Sequence, residues 1–151
     1  MNIDEEAPEF SLPNQDGNHV RLSDFRGSNA LLVFHPGRLD RVCKEYLSFF
    51  SDYRDSLRLL GTEILAINME SVETNRNWIS EENLGFDVLS DQFPLGGVTL
   101  KYDCYVPKEG YGKRVIFLIN KDGRIKHIEA VGTEEGACPN MSRILAAVSD
   151  S

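Results

Sequence analysis

Three things are scarce in this chain of 151 residues. Cysteine occurs only at Cys43, Cys104 and Cys138. An odd, scattered set of thiols cannot staple a small secreted scaffold, so any disulfide would belong to chemistry, and a reducing compartment, the cytoplasm, is the expected home. Positive charge is short too, with 16 Lys and Arg against 24 Asp and Glu and a formal net charge of -8. That balance repels phosphate backbones and anionic lipid, so nucleic acid is not an expected partner. Long apolar runs are missing, and with them any expectation of a membrane span. Met1 to Glu6 is acidic and has neither the basic start nor the apolar stretch of a secretory leader, so none is expected. The histidines His19, His35 and His127 share no metal-ligand spacing with one another or with the cysteines, which argues against a zinc site. Neither a metal nor an organic cofactor is called for.

What is present suits one soluble globular domain spanning residues 1–151, with 41% hydrophobic and 26% charged residues and no repeat or linker. Phe10 to Leu12 and His19 to Leu22 alternate apolar and polar around Asn14-Gln15-Asp16-Gly17, which predicts a hairpin. Ala30 to His35 is an uninterrupted apolar run, as in strands buried on both faces. From about Val42 the period lengthens. Val42, Tyr46, Phe49, Phe50, Tyr53, Leu57 and Leu60 form one helical stripe that Gly61 ends. Ile64 to Met69 reads as a buried strand, Ser71 as the cap of a helix carrying Trp78, and Phe86 to Leu89 as a short strand. Val115 to Ile119 and Ile125 to Val131 flank Asn120-Lys121-Asp122-Gly123 as a second hairpin, and an amphipathic helix closes the chain from about Pro139 to Val148. The alternation predicts an α/β fold, a mixed central sheet flanked by helices, with the N-terminal hairpin as an extension.

The chemically informative stretch is Phe34-His35-Pro36-Gly37-Arg38-Leu39-Asp40-Arg41-Val42-Cys43, running from the end of a buried strand into the first turn of a long helix. Active sites of open α/β sheets lie at such places. A thiol there meets unpaired backbone N–H groups and the positive end of the helix dipole, which favour thiolate, and Arg38 and Arg41 add to that field. A lone cysteine in a helix is otherwise a common small core residue. Following a strand-end proline, at a helix start and among arginines, Cys43 is instead a candidate nucleophile. Ionisation alone gives limited gain, because an ordinary thiol is already ~3% thiolate at neutral pH, so a full shift yields only about thirtyfold more nucleophile. Donors aimed at the reacting oxygens must supply the rest.

In these residues the chain resembles the peroxiredoxins of the AhpC/TSA superfamily, whose active-site pattern is Pro-x-x-x-Thr/Ser-x-x-Cys in a thioredoxin-like fold. Pro36 and Cys43 match that pattern, and Asp40 stands where the hydroxyl residue belongs. Ala7-Pro8-Glu9-Phe10-Ser11-Leu12 and Leu22-Ser23-Asp24-Phe25-Arg26-Gly27 resemble the family's opening segments. Ser90-Asp91-Gln92-Phe93-Pro94-Leu95-Gly96-Gly97-Val98 with Lys101-Tyr102 looks closest to the one-cysteine alkyl hydroperoxide reductase E and bacterioferritin-comigratory-protein-like branch. Arg114 matches the arginine held against the reactive thiolate in that family. The resemblance implies a thiol-dependent peroxidase. In it, Cys43 attacks hydrogen peroxide or an organic hydroperoxide and becomes a sulfenic acid, Pro36 shields the site and Arg114 polarises thiolate and peroxide. It also implies an external thiol reductant of thioredoxin, glutaredoxin or mycoredoxin type, and a homodimer.

The departures define a second reading. Asp40 can cap the helix, or its carboxylate can raise the thiol pKa by like-charge repulsion. The latter would suit a redox sensor or binding module with little turnover. Tyr46, one turn past Cys43, belongs to the packing stripe, as Trp78 belongs to the core. His35 could shift the pH profile from the pocket mouth. Cys104 and Cys138 are the remaining candidates to resolve a sulfenic acid, which would require Cα atoms within about 7 Å of Cys43. The final pattern lacks both a Cys-x-x-Cys pair and a proline before Val115, so a thioredoxin-type disulfide reductase is disfavoured.

Overall fold

The computed structural model describes residues 1–35, 41–106, 111–112, 114–131 and 139–150; at 41–44, 82, 105–106 and 111–112 the backbone alone is described. The first strands, β1 (Ser11–Pro13) and β2 (His19–Arg21), form the expected hairpin. Its turn closes because the Asn14 side-chain oxygen accepts the N–H groups of Asp16 and Asn18, each at 3.0 Å, and Gly17 takes a φ of 84° that a larger residue would resist. A short 3-10 helix, Leu22–Phe25, leads into β3 (Asn29–Phe34).

β3 is buried at every position because it lies in the middle of a five-stranded sheet with both faces covered. The sheet has the order β5-β4-β3-β8-β9, where β4 is Thr62–Asn68, β5 Asp87–Ser90, β8 Val115–Ile119 and β9 Ile125–Ala130. β3 runs parallel to β4 and antiparallel to β8, so the sheet is mixed, as the alternation of elements predicts. Helix α1 (Arg41–Leu59) links β3 to β4, and α2 (Val72–Glu82) links β4 to β5. The Ser71 hydroxyl oxygen caps α2 by accepting the N–H of Thr74 at 3.1 Å. After β5 come α3 (Gly97–Lys101) and the two-residue strands β6 (Tyr105–Val106) and β7 (Tyr111–Gly112). The chain finishes in α4 (Met141–Ser149).

Strand alternation divides the core in two. Leu31, Val33, Ile64, Ala66, Val88, Ile116 and Leu118 face Leu47, Phe50 and Leu57 of α1, Trp78 of α2, and Ile144 and Val148 of α4. Leu32, Phe34, Leu65, Ile67, Leu89, Phe117 and Ile119 point the other way, onto Phe10, Leu12, Leu22, Val98, Tyr102 and Cys104. The three long helices therefore cover one face of the sheet, and the hairpin and α3 cover the other.

Three boundaries depart from the sequence reading. Leu60 lies in the turn after α1 and is exposed; the stripe stops at Leu57, because the chain leaves the helix before Leu60 can turn inward. The last helix starts after Pro139, with Asn140 as its cap, since an amide oxygen can accept the Arg143 N–H at 3.1 Å and a proline side chain cannot. β6 and β7 have no expected counterpart; two-residue strands are too short to show a period.

Candidate active site

The carboxyl ends of β3, β4 and β5 and the start of antiparallel β8 meet along one rim of the sheet. Ligands of open α/β sheets bind there. α1 begins on this rim, and Cys43 is its third residue, within the first turn where backbone N–H groups have no intrahelical partner and the dipole is positive. Pro36 and Asp40, with Arg38, lie outside the described residues, as do the side chains of Cys43 and Arg41.

Arg114 stands on the same rim, immediately before β8, only 6% exposed. Its guanidinium carbon Cζ lies 6.0 Å from the centroid of the Tyr46 ring, which ring faces favour electrostatically. Tyr46 follows Cys43 by three residues on α1, a spacing that puts the two positions on one face of the helix. The fold thus brings Arg114, distant in sequence, onto Tyr46, a residue one turn past position 43. Tyr46 has the packing role expected of it and a second one, as the surface on which Arg114 rests.

His35 corrects the expectation made for it. The residue is 2% exposed and lies beneath the rim, its ring 5.3 Å from that of Trp78 at an interplanar angle of 60°. Burial, helped by the Arg114 charge, pushes its pKa down to about 3, so the imidazole is neutral throughout the physiological range. It cannot shape a pH profile near neutrality. Trp78 is fully buried in the helix-side core, as expected.

Sequence reasoning missed a buried polar network on the rim. Asn68 and Asn75 exchange side-chain hydrogen bonds of 2.8 and 3.0 Å, and the Asn75 amide also donates to Ser90 Oγ at 3.0 Å. The Asp91 carboxylate accepts from Val98 N at 3.1 Å, Thr99 N at 2.7 Å and Thr99 Oγ1 at 2.6 Å, fixing the start of α3. A carboxylate several residues ahead of a helix start, next to Ser90, was a usable signal; the asparagines, far apart in sequence, gave none. Between Asp91 and α3 the Phe93–Pro94 peptide is cis, and Phe93 and Leu95 point outward at 92% and 62% exposure.

The other candidates fall away from the rim's chemistry. Cys104 is buried on the face of the sheet opposite α1, among Phe10, Phe34, Tyr102 and Phe117, with its thiol donating to the Tyr102 carbonyl at 3.2 Å. Tyr102 donates its hydroxyl to the Pro8 carbonyl at 2.6 Å, and burial raises its pKa. Cys138 lies outside the described residues. His127 Nε2 is 3.1 Å from Glu129 Oε1, and Glu129 Oε2 accepts the Asn140 N–H at 2.6 Å; this pair serves the start of α4. His19 lies 3.1 Å from Ser11 Oγ in the hairpin. Among the described residues no group of three or more His, Cys, Asp or Glu is arranged to hold a metal. A cavity of about 310 Å³ opens at the opposite end of the sheet, where Arg58 pairs with Glu63 and Gln15 donates to Asp87.

The mixed sheet flanked by helices is a thioredoxin-like architecture, and comparison with known proteins identifies the family. The AhpC/TSA family profile matches residues 3–128. Peroxiredoxin Bcp of Escherichia coli (strain K12) is 34% identical over 128 residues, covering 81% of each chain. Alkyl hydroperoxide reductase E of Mycobacterium tuberculosis is 29% identical over 130 residues, covering 85% of each. Among solved structures, peroxidoxin BcpB from Mycobacterium tuberculosis superposes with a TM-score of 0.85 at 20% identity, covering 99% of this chain and 97% of that one, which shows the thioredoxin-like fold. The chain belongs to the AhpC/TSA family and is a peroxiredoxin, a thiol-dependent peroxidase. No helix among the described residues is long and apolar enough to cross a membrane.

Proposed function

We propose that residues 1–151 act as one domain that reduces hydrogen peroxide or organic hydroperoxides by a one-cysteine cycle at Cys43. The Cys43 thiolate attacks the terminal peroxide oxygen, an S–O bond forms and the O–O bond breaks. The sulfur loses two electrons and becomes a sulfenic acid; the departing oxygen takes a proton and leaves as water or an alcohol. A thiol of an external reductant then displaces water from the sulfenic sulfur to give a mixed disulfide, and a second thiol releases Cys43.

The observation that carries this reading is the Arg114 guanidinium, buried against Tyr46 on the face of α1 that also bears position 43. A cation held there favours thiolate over thiol and meets the charge that moves onto the peroxide oxygens as the bond breaks. The cycle gives Pro36 the part of screening the thiolate from bulk water and Asp40 the part of helix cap, both expected from the sequence alone. The place of Cys104 across the sheet supports an external reductant, a dithiol protein of thioredoxin, glutaredoxin or mycoredoxin type. Exposed Phe93, Leu95 and Leu100 supply apolar surface for a homodimer, and the low cysteine count fits the cytoplasm.

Intact-mass measurement after one equivalent of peroxide tests the cycle. Wild type gains one oxygen, or the mass of a trapped sulfenic adduct, and Cys43→Ser gains nothing; an equal slow gain in both would sink the proposal. Asp40 favours a second reading, a redox sensor that is oxidised but turns over slowly. In that case Asp40→Thr speeds peroxide consumption severalfold, whereas equal rates leave Asp40 as a cap.

A further inference from the structure

The ladder of β3 ends at Phe34, but its extended geometry continues for one residue more. A residue preceding proline is kept out of the helical region and held extended, and His35 precedes Pro36. The His35 N–H still donates to the Ile67 carbonyl of β4 at 3.1 Å. The β3–β8 register pairs Val33 with Ile116 and Phe34 with Val115, so the next step sets His35 opposite Arg114. Alternation then fixes which way both side chains face. Val33 and Ile116 point to the helix side and Phe34 and Val115 away from it, which returns His35 and Arg114 to the helix side. The ring contacts agree: His35 lies on Trp78 of α2 and Arg114 on Tyr46 of α1. Directly opposed residues in an antiparallel pair have Cβ atoms about 5 Å apart, close enough to be lateral neighbours.

We propose that His35 is a positioning residue for Arg114, an imidazole clamped by Trp78 that holds the guanidinium against Tyr46 and toward the start of α1. The inference rests on the peroxidase reading of Cys43 and adds a residue to it. An arginine has several rotatable bonds, and its charge is useful only where it is fixed; a misplacement of about 1 Å can cost on the order of a hundredfold in rate. Tyr46 limits the guanidinium from the helix side, and His35 limits it from the strand side. The chemistry of the imidazole suits the task. A carboxylate at this position would pair with the guanidinium and cancel the field that the thiolate needs. A protonated ring would repel it. A neutral ring does neither, and burial together with the arginine's own charge keeps this one neutral. Trp78, with no measurable exposure, leaves the ring no room to swing away.

The test compares His35→Phe, which keeps a ring and removes its nitrogens, with His35→Gln, which keeps a neutral polar group. The readouts are the titration midpoint of the Cys43 thiol, taken as absorbance near 240 nm relative to Cys43→Ser, and the second-order rate constant with hydrogen peroxide. His35→Phe is expected to raise the thiol midpoint by about half a pH unit or more and to slow the reaction about tenfold, while His35→Gln recovers most of both. In an Arg114→Ala background His35→Phe should add less than about twofold, because the residue acts only through the arginine. His35→Leu takes the place of His35→Phe if the phenyl ring prevents folding. A thiol midpoint and rate within about twofold of wild type, or a loss that multiplies with that of Arg114→Ala, would overturn the proposal. Failure of the Cys43 reading is distinguishable, since wild type itself would then show no Cys43-dependent oxidation.

Discussion

The rim of the sheet holds two buried polar groups of opposite character, a few strands apart. At the end of β5 the Asp91 carboxylate accepts three donors from Val98 and Thr99, with the Asn68–Asn75 pair locked beside it. At the end of β3 the Arg114 cation lies on an aromatic face beside a neutral imidazole. The first charge is absorbed by hydrogen bonds of the fold, and the second rests on an aromatic face. In the proposed cycle the carboxylate shapes the site and the cation acts in it, although burial alone would not tell them apart.

Substitutions at the two groups should therefore fail in different ways. Arg114→Ala is expected to lower the second-order rate constant with peroxide by roughly 10²–10³, the scale of a lost transition-state donor, with the folded state retained in circular dichroism. Asp91→Ala should do the reverse. Loss of a buried carboxylate with three donors costs about 2–4 kcal/mol in urea unfolding, while the Cys43 thiol of the folded fraction keeps its titration midpoint. Equal losses of rate in both variants would erase the distinction.

The buried imidazole extends the comparison to acid. His35 has its pKa lowered from 6.5 to about 3 in the folded protein, so between those values the unfolded chain binds a proton that the folded one refuses. Stability from this residue is complete above pH 6.5 and falls as the pH drops toward 3, with a slope of at most about 1.4 kcal/mol per pH unit. Urea midpoints of wild type and His35→Gln should diverge at neutral pH and converge near pH 4; parallel curves would place the titration elsewhere. The smallest effect is expected at Cys104. Cys104→Ser should leave peroxide turnover unchanged, because the residue lies across the sheet from α1, and should cost about 1 kcal/mol through burial of a hydroxyl. A missing mixed-disulfide intermediate in that variant would reopen its role as resolving thiol.

Much of this architecture is legible locally. The Asn14 and Asn120 turns, the Ser71 cap, the buried β3 and β8 runs and the stripe from Tyr46 to Leu57 all follow from chemistry within a few residues. The family resemblance implies a partnership of Cys43 and Arg114, which are far apart in sequence, and the β3–β8 pairing sets Arg114 on the rim where α1 begins. By sequence His35 reads as a titrating group at a pocket mouth, because its neighbours along the chain carry no sign of Trp78 against it. The Asn68–Asn75 pair was silent for the same reason, since an asparagine next to a strand looks the same whether it faces solvent or another amide.

The sequence by itself determined the periodicities, the turns, the helix that opens near Cys43 and the excess of negative charge, since each depends on residue type and short-range spacing alone. Only the tertiary structure decided that Arg114 is buried beside Tyr46, that His35 is neutral and that Cys104 lies across the sheet from α1. Desolvation, face and register are properties of strands brought together, and they have no value until the sheet has closed.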